Sequence, residues 1–516
     1  MSNKTALDSS LTLIKALSEA NACNIVETHI SWLLLTGQYA YKIKKPVNFG
    51  FLDFSTLEKR RFCCDEELRL NRRLAADLYL EIVPITGTPD HPQLGGTGPT
   101  IEYAVKMLRF PSGQLLSDYA GRGQLAIDQI DQLADLVAGF HQTIEQTDEN
   151  SPYGDSANIN HWFVENFDHL RPLLVEDKQK QQLQTIRQWG DSEWRKQAGS
   201  MQLRKQHGYV RECHGDLHLG NMTLINGKVI LFDCIEFNPL LRWVDVISEV
   251  AFLFIDLLHF GYDRFAYRFL NRYLHYTGDY QGLVLLRYYL VYRALVRAKV
   301  SLLRMAQLDA SAAEQARCEY AVFADLAERF TSRRQTALII THGYSGSGKS
   351  TLASQLAEKI GAFQIRSDIE RKRLFGYRAL VQTGSGIDNG LYSQEASVKT
   401  YRHIKGLGQA VLEAGFPVII DAAFLKTEQR DPFRQLAADC GVPFHIIAFQ
   451  ASDLELCRRI KQRQNDASEA TVAVLRHQQQ SAQPLTEQEQ AAVIEIDTEN
   501  NNALENLFNS FDRYLQ

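Results

Sequence analysis

The stretch that decides the reading is His214-Gly-Asp-Leu-His-Leu-Gly-Asn221. A polar loop precedes it, and the short apolar run Val229 to Phe232 follows and ends at Asp233. A carboxylate at Asp216, an amide at Asn221 and a second carboxylate after a buried strand form a set suited to moving a phosphoryl group. In that chemistry one carboxylate orients and deprotonates the attacking hydroxyl. The amide oxygen and the other carboxylate hold Mg²⁺ on the phosphates of ATP. Asp216 takes the first role, Asn221 and Asp233 the second. The plainer reading is a polar turn before a strand, with Asn and Gly serving turn geometry. It requires three spaced polar residues and an apolar strand to coincide by accident.

The same stretch resembles the catalytic loop of the aminoglycoside phosphotransferase family, kinase-like enzymes that phosphorylate small molecules. His214, Asp216 and Asn221 carry the match, with Asp233 in the place of the metal-binding Asp of kinases. The text after Asp233 is Cys-Ile-Glu-Phe-Asn rather than Phe-Gly, unlike a protein kinase. The resemblance implies a two-lobed α+β kinase-like fold.

Composition sets the frame. A chain of 516 residues, 45% hydrophobic and 23% charged, has room for two or three domains with their own cores. A net charge of −5 gives no electrostatic case for nucleic acid or an anionic membrane as main partner. The eight cysteines are scattered, with Cys63-Cys64 the only close pair, so reduced cytosolic thiols are expected rather than disulfides or zinc. Met1 to Asn21 lacks a basic start followed by an apolar core, so no secretory signal is expected. The greasy run Val246 to Phe260 contains Glu249 and Asp256 and reads as a buried helix. A cytoplasmic location follows from these features.

Toward the N-terminus, Leu11 to Ala20 reads as a helix. Ile25 to Lys44 alternates around Thr36-Gly37-Gln38 and reads as strands with a hairpin. Lys42 and Lys44 lie two apart and share a strand face. Either can grip ATP phosphates, and Lys42 is the first choice; lysines protecting an edge strand are the plain alternative. Leu57 to Leu74 reads as a helix that offers Glu67, with Glu66 as competitor, to pair with the strand lysine. No Gly-x-Gly-x-x-Gly loop covers a nucleotide here. Tyr103 to Leu108 reads as a strand leading to a hinge, and Asp128 to Ile144 as a helix.

Beyond the decisive stretch, Trp243 to His259 reads as one apolar helix, and the resemblance implies that Asp245 braces the catalytic loop. The helix Leu285 to Met305 carries Tyr289, Arg293 and Arg297 at i, i+4 and i+8. A solvated face is one reading. The other aims Arg293 and Arg297, with Arg287 and Lys299, at an acceptor, since guanidinium forks suit carboxylate or phosphate. Ala310 to Arg334 reads as a closing helix that ends in Ser332-Arg333-Arg334.

A second site follows. Ala337 to Thr341 is an apolar strand, Gly343-Tyr-Ser-Gly-Ser-Gly-Lys349-Ser350 comes next, and Thr351 to Ile360 is an amphipathic helix. This is a phosphate-binding loop in its strand–loop–helix setting. The backbone around Gly343, Ser345, Gly346, Ser347, Gly348 and Thr351 can approach the phosphates, and the helix start adds its dipole. Lys349 neutralises β- and γ-phosphates, and Ser350 ligates Mg²⁺. Ile365-Arg-Ser-Asp368-Ile-Glu-Arg371 follows a second strand, and Val418 to Ile420 is a third, ending at Asp421.

From about Thr336 to Gln516 the chain resembles the small P-loop kinases, especially polynucleotide and gluconate kinases. That resemblance implies that Asp368 orients or deprotonates the acceptor hydroxyl and that Arg371 holds acceptor or phosphate. It also implies that Asp421 supports Mg²⁺ and that Arg459 and Arg463, on the helix Leu454 to Arg463, close on the phosphoryl group. The plainer readings are a helix cap at Asp368 and a basic solvated helix. The Asp466-Ala-Ser-Glu that follows that helix completes the lid pattern.

The expectation is therefore a kinase-like domain over 1–325 fused to an α/β P-loop kinase domain with a parallel sheet over 336–516. The whole resembles bacterial bifunctional aminoglycoside phosphotransferase and ATP-binding proteins. ATP and Mg²⁺ are the expected cofactors, and the acceptors are small molecules, neutral or anionic. Two other classes compete: an ATP-binding sensor with little turnover, and a nucleic-acid end kinase. The complete residue sets count against the first, and the acidic charge against the second. The sequence names neither acceptor nor oligomeric state.

Overall fold

The computed structural model describes residues 3–512 apart from 51, 306–309, 333–334, 380, 382–390, 392 and 464–467. Arg333, Arg334 and the start of the Asp466-Ala-Ser-Glu lid pattern lie outside the described residues. The chain divides into two compact units. The first comprises Met1–Gln132, Thr143–Ile159 and Gln202–Leu253, and the second Leu133–Gln142, Asn160–Met201 and Phe254–Gln516. This division differs from the expected one near 325, because the helices from 254 onward cluster with the phosphate-loop region.

The first unit is built on a six-stranded antiparallel sheet. Its strands are β1 (Asn24–Glu27), β2 (Ser31–Leu35), β3 (Tyr39–Lys44), β4 (Tyr79–Thr88), β5 (His91–Leu94) and β6 (Thr100–Leu108), in the order β1-β2-β3-β6-β4-β5. Alternation along β2 and β3 covers both faces. Trp32, Leu34 and Ile43 pack with Leu13, Ile14 and Leu17 of the leading helix Asn3–Asn21. Ala40, Val105 and Tyr79 pack with Cys64 and Ala75 of the helix Leu57–Ala75. Lys42 stands opposite Leu33 and Val105, so it shares the face that this helix covers.

Two small antiparallel pairs frame the loop 213–221: β7 (Val210–Glu212) with β10 (Trp243–Asp245), and β8 (Met222–Ile225) with β9 (Lys228–Leu231). The expected single helix Trp243 to His259 is thus a three-residue strand followed by the helix Val246–His259. Trp243 and Val244 pair with Glu212 and Arg211, and Asp245 accepts from Ile247 N at 2.8 Å, which starts the helix.

The second unit contains the helices Asp263–Thr277, Leu283–Arg304 and Ala310–Thr331 and a five-stranded parallel sheet. The strands are β11 (Leu338–His342), β12 (Phe363–Arg366), β13 (Val418–Asp421), β14 (Phe444–Gln450) and β15 (Val493–Asp497), in the order β12-β13-β11-β14-β15. Helices Lys349–Ile360 and Ala503–Asn509 bury Ala353, Leu356, Ala357 and Leu507 against Ile339, Ile419 and Ile447 of the sheet. Such near-continuous apolar strands are typical of a parallel sheet covered on both faces. The architecture is an α+β part followed by an α/β part with a parallel sheet. Among the described residues, no helix is long and apolar enough to cross a membrane.

The tyrosine- and arginine-bearing helix Leu283–Arg304 does not present the expected acceptor face. Arg293 is 5% exposed and lies on the Tyr292 ring, and Arg297 pairs with buried Asp256 at 3.2 Å. Arg287 donates to Phe330 O and Thr331 O, and Lys299 lies 3.6 Å from Glu165. These cations are engaged in packing helices together. That corrects the assignment of Arg293 and Arg297 to substrate.

Candidate functional site

In the first unit the alternation of β3 sends both lysines under the helix Leu57–Ala75. Glu67, fully buried on that helix, forms an ion pair with Lys42 at 2.8 Å and accepts from Lys44 at 2.7 Å. Lys42 also reaches Asp233 Oδ1 at 2.5 Å, and Lys44 bonds to buried Glu236. Asp233, Lys42, Glu67, Lys44 and Glu236 therefore form one alternating chain of charge. Burial alone would push the lysines down and Glu67 up. The neighbouring opposite charges win: Lys42 and Lys44 are raised, and the two ammoniums hold Glu67 at about 2. Glu66, the competing acid, pairs instead with Arg69 and Arg242.

Asp233 has a φ of +65°, a left-handed conformation uncommon for Asp. Its N–H donates to the Tyr79 hydroxyl at 3.2 Å, and the next N–H, of Cys234, donates to Asn71 Oδ1 at 2.9 Å. These two buried partners hold the turn that aims the carboxylate at Lys42.

Asp216 sits in the loop between β7 and β8 with its side chain 35% exposed. Asn221 Nδ2 donates to Asp216 Oδ2 at 2.9 Å and to Asp216 O at 3.0 Å, and His218 Nε2 lies 3.2 Å from the same carboxylate. Gly215 has a φ of +88°, and a Cβ there would meet Leu241 O at 3.0 Å. His214 sits with Nε2 on Phe232 O at 2.8 Å and Nδ1 accepting from Asp216 N at 3.3 Å, which ties the loop to the strand before Asp233.

The brace of this loop is Glu249 rather than Asp245. Glu249, 1% exposed, accepts from His214 N at 2.8 Å and Gly215 N at 3.0 Å. Asp245 binds Arg204 in a two-point contact at 2.7 and 2.9 Å. In the sequence Glu249 is a charge inside the greasy run Val246 to Phe260. A buried acid one turn into an apolar helix was the available signal.

In the second unit Gly343 to Gly348 connect β11 to the helix Lys349–Ile360. Gly343 has a φ of +142°, and a Cβ there would lie 2.5 Å from Phe449 O. Lys349 folds back onto its own loop, donating to Tyr344 O at 2.7 Å and Ser347 Oγ at 3.4 Å. Burial lowers its pKa to about 8, against the pull of Asp421 and Asp368. Ser350 bonds to Asp421, whose carboxyl burial pushes up against the pull of Arg366. Gln364 Nε2 donates to Asp421 Oδ2 at 3.0 Å. Ser345 N donates to Gln478 Oε1 at 2.9 Å, a contact no local motif signals.

A cavity of about 1530 Å³ opens over this loop, lined by Lys349, Ser350, Thr351, Asp368, Arg371 and Asp421 among others. Asp368 lies in the first turn of the helix Ser367–Leu374, whose N-cap is Arg366, so Asp368 is not the cap. Arg371 is 7% exposed and donates to Leu391 O and Ser397 Oγ at 2.9 and 3.3 Å. Arg459, on the helix Asp453–Gln462, donates to Thr498 O at 3.0 Å and Thr498 Oγ1 at 2.9 Å and lies 3.4 Å from Gly346 O. Arg463 is the C-cap of that helix and lines the cavity with Arg459. Arg458 turns away to Glu455.

Both donor sets suit a hard cation: Asn221 and Asp233 in the first unit, Ser350 and Asp421 in the second, offer oxygen alone. Mg²⁺ fits these residues by chemistry.

Residues 338–485 match a family model described as an AAA domain. Among solved structures, the chain is similar to a gluconokinase from Sinorhizobium meliloti, at 19% identity over 35% of this chain and 94% of that one, with a TM-score of 0.26. It is also similar to a choline kinase from Cryptosporidium parvum, at 10% identity over 63% of this chain and 96% of that one, with a TM-score of 0.38. The uncharacterized proteins Rv2004c of Mycobacterium tuberculosis and Mb2027c of Mycobacterium bovis are each 30% identical to it over 451 residues, covering 87% of this chain and 88% of theirs. On that extent of shared sequence, the chain belongs to the same protein family as these mycobacterial proteins.

Proposed function

We propose that the chain is an ATP-dependent phosphotransferase with two separate nucleotide sites, each passing the γ-phosphoryl group of ATP to an acceptor hydroxyl. One observation carries this reading: Lys42 bridges Glu67 and Asp233 in the first unit, so the phosphate-gripping cation and a metal-holding carboxylate already meet. The chain's own groups then divide the work. Lys42, fixed by Glu67, binds phosphate oxygens. Asp216, oriented by Asn221 and His218, takes the proton of the acceptor hydroxyl as the oxygen attacks. Mg²⁺, when held by Asn221 and Asp233, supplies charge neutralisation on the phosphates.

In the second site Lys349 leaves its loop carbonyl for phosphate, Asp368 orients the acceptor, and Arg459 and Arg463 close over the phosphoryl group. Arg366, Arg371, Arg402, Lys405 and Lys426 line the same cavity beyond the phosphate loop, which favours an anionic acceptor there. Turnover as a bifunctional kinase acting on two acceptors distinguishes this reading from a sensor. The test is an ATP-consumption screen of the full chain with sugars, sugar phosphates, nucleosides, small alcohols and aminoglycosides. Asp216→Asn removes one set of activities and Lys349→Ala the other. If either change silences both sets equally, the independent-site reading fails.

A further inference from the structure

Strand β12 lies at the edge of the parallel sheet. An edge strand leaves a row of backbone N–H and C=O groups outside the ladder. Here side chains from the segment 263–282 take their place. The Asn271 amide bonds twice, donating to Ala362 O at 3.0 Å and accepting from Gln364 N at 2.7 Å. His275 Nε2 and the Tyr280 hydroxyl both reach Gln364 O, at 3.0 and 3.1 Å. Burial, helped by Arg366, holds His275 at about 3, so the ring is neutral and donates to that carbonyl. Arg373 closes the junction by donating to His275 O at 2.6 Å.

The residue gripped in this way is the one whose side chain enters the phosphate site. Gln364, 1% exposed, donates to Asp421 Oδ2 at 3.0 Å and to Ser350 O at 3.4 Å, and accepts from Ser354 Oγ at 2.7 Å. One amide therefore ties the strand-end carboxylate to the first two turns of the phosphate-loop helix. Burial disfavours the charged form of Asp421. The neutral donor on Oδ2, at 3.0 Å, is closer than the Arg366 guanidinium, which lies 3.6 Å from the same oxygen, and it fixes the carboxylate's rotation. The Gln364 backbone faces away from β13, so its position is set from the helix side.

We propose that Gln364 is a positioning residue for the metal-holding pair Ser350 and Asp421, held in place by Asn271, His275 and Tyr280. Metal affinity at the phosphate loop then depends on the helix Asp263–Thr277, which precedes β11 in sequence. This rests on the nucleotide-binding reading of the loop, and the experiment separates the two. Mn²⁺ binding to the full chain is followed by electron paramagnetic resonance with a non-hydrolysable ATP analogue, and the difference between wild type and Lys349→Ala isolates this site. Absence of any Lys349-dependent Mn²⁺ overturns the nucleotide reading, and the proposal with it.

Where that signal is present, Gln364→Leu weakens Mn²⁺ binding by about tenfold or more. The affinity for the analogue in EDTA stays unchanged. Asn271→Ala and Tyr280→Phe move Mn²⁺ affinity in the same direction by less. A folded Gln364→Leu chain with wild-type Mn²⁺ affinity overturns the positioning role. Asn271→Ala and Tyr280→Phe chains that melt earlier yet bind Mn²⁺ as wild type overturn the coupling and leave only cover for an edge strand. Tyr280→Phe keeps its ring and removes one donor, so it decides the matter if Asn271→Ala does not fold.

Discussion

Lys44 reaches Glu67 at 2.7 Å, on the carboxylate whose other oxygen holds Lys42 at 2.8 Å. A strand period of two puts both lysines on one face, so a single buried acid serves both. Their second partners separate them. Lys42 goes on to Asp233, whose side chain is 40% exposed, whereas Lys44 goes on to Glu236, 4% exposed. Lys42 therefore ends on a carboxylate open to solvent, whereas Lys44 holds the helix Leu57–Ala75 and the segment after Asp233 together.

Removing Lys44 leaves two buried carboxylates facing each other. Lys44→Ala should destabilise the fold by about 3–5 kcal/mol, the usual result of breaking a buried pair from one side. Lys44→Met combined with Glu236→Leu should recover part of that loss. Urea unfolding of the single and double variants measures both.

Lys42→Ala should instead abolish the Asp216-dependent activity at a smaller cost in stability, because Asp233 retains contact with solvent. Asp216→Asn should lower kcat by about 10²–10⁴, the range for a lost general base, while ATP remains bound. Steady-state kinetics with equilibrium ATP binding distinguishes the two variants.

Glu67 gives an acid limb. Its pKa is about 2 in the folded chain, below the ordinary 4.5. A depressed carboxylate contributes stability that is present above pH 4.5 and is lost as pH falls toward about 2. Unfolding at fixed urea across that window should show the loss in wild type. Glu67→Gln should start lower at neutral pH and fall less.

Lys349 gives a basic limb for nucleotide binding. Burial lowers its pKa to about 8, and bound phosphate must raise it again. ATP affinity at this loop should be flat below pH 8 and decline above it, because deprotonation of the free site then competes with binding. Lys349→Arg should flatten the profile, since guanidinium stays charged throughout. Titration of the full chain in an Asp216→Asn background checks it.

Glu249→Gln should weaken the charge-assisted bonds to His214 N and Gly215 N, lowering kcat of the first site and stability by about 1–3 kcal/mol. Asp245→Asn should reduce stability through Arg204 with less effect on kcat relative to KM. A larger kcat loss in Asp245→Asn than in Glu249→Gln would restore Asp245 as the brace.

The spacing from His214 to Asp233 and the loop Gly343 to Ser350 were legible because their chemistry is carried by neighbours in sequence. A turn that exposes Asp216, or a loop that frees backbone N–H groups, needs only local residues. The strands Phe444–Gln450 and Val493–Asp497 were not anticipated. Short apolar runs between helices give weak periodicity, and only lateral pairing fixes them. Arg293 and Arg297 misled because helical spacing fixes a face and not what that face meets.

By itself, the sequence determined the α+β and α/β classes and the residue types gathered around Asp216 and along the loop Gly343 to Ser350, since these follow from local pattern and side-chain chemistry. Tertiary structure alone decided that Lys42 meets Asp233, that Glu249 braces the loop His214 to Asn221, and that Gln364 joins a preceding helix to Asp421. Each of these contacts pairs residues far apart in the chain. Buried charges and amides accept a partner only where packing brings one within hydrogen-bond reach.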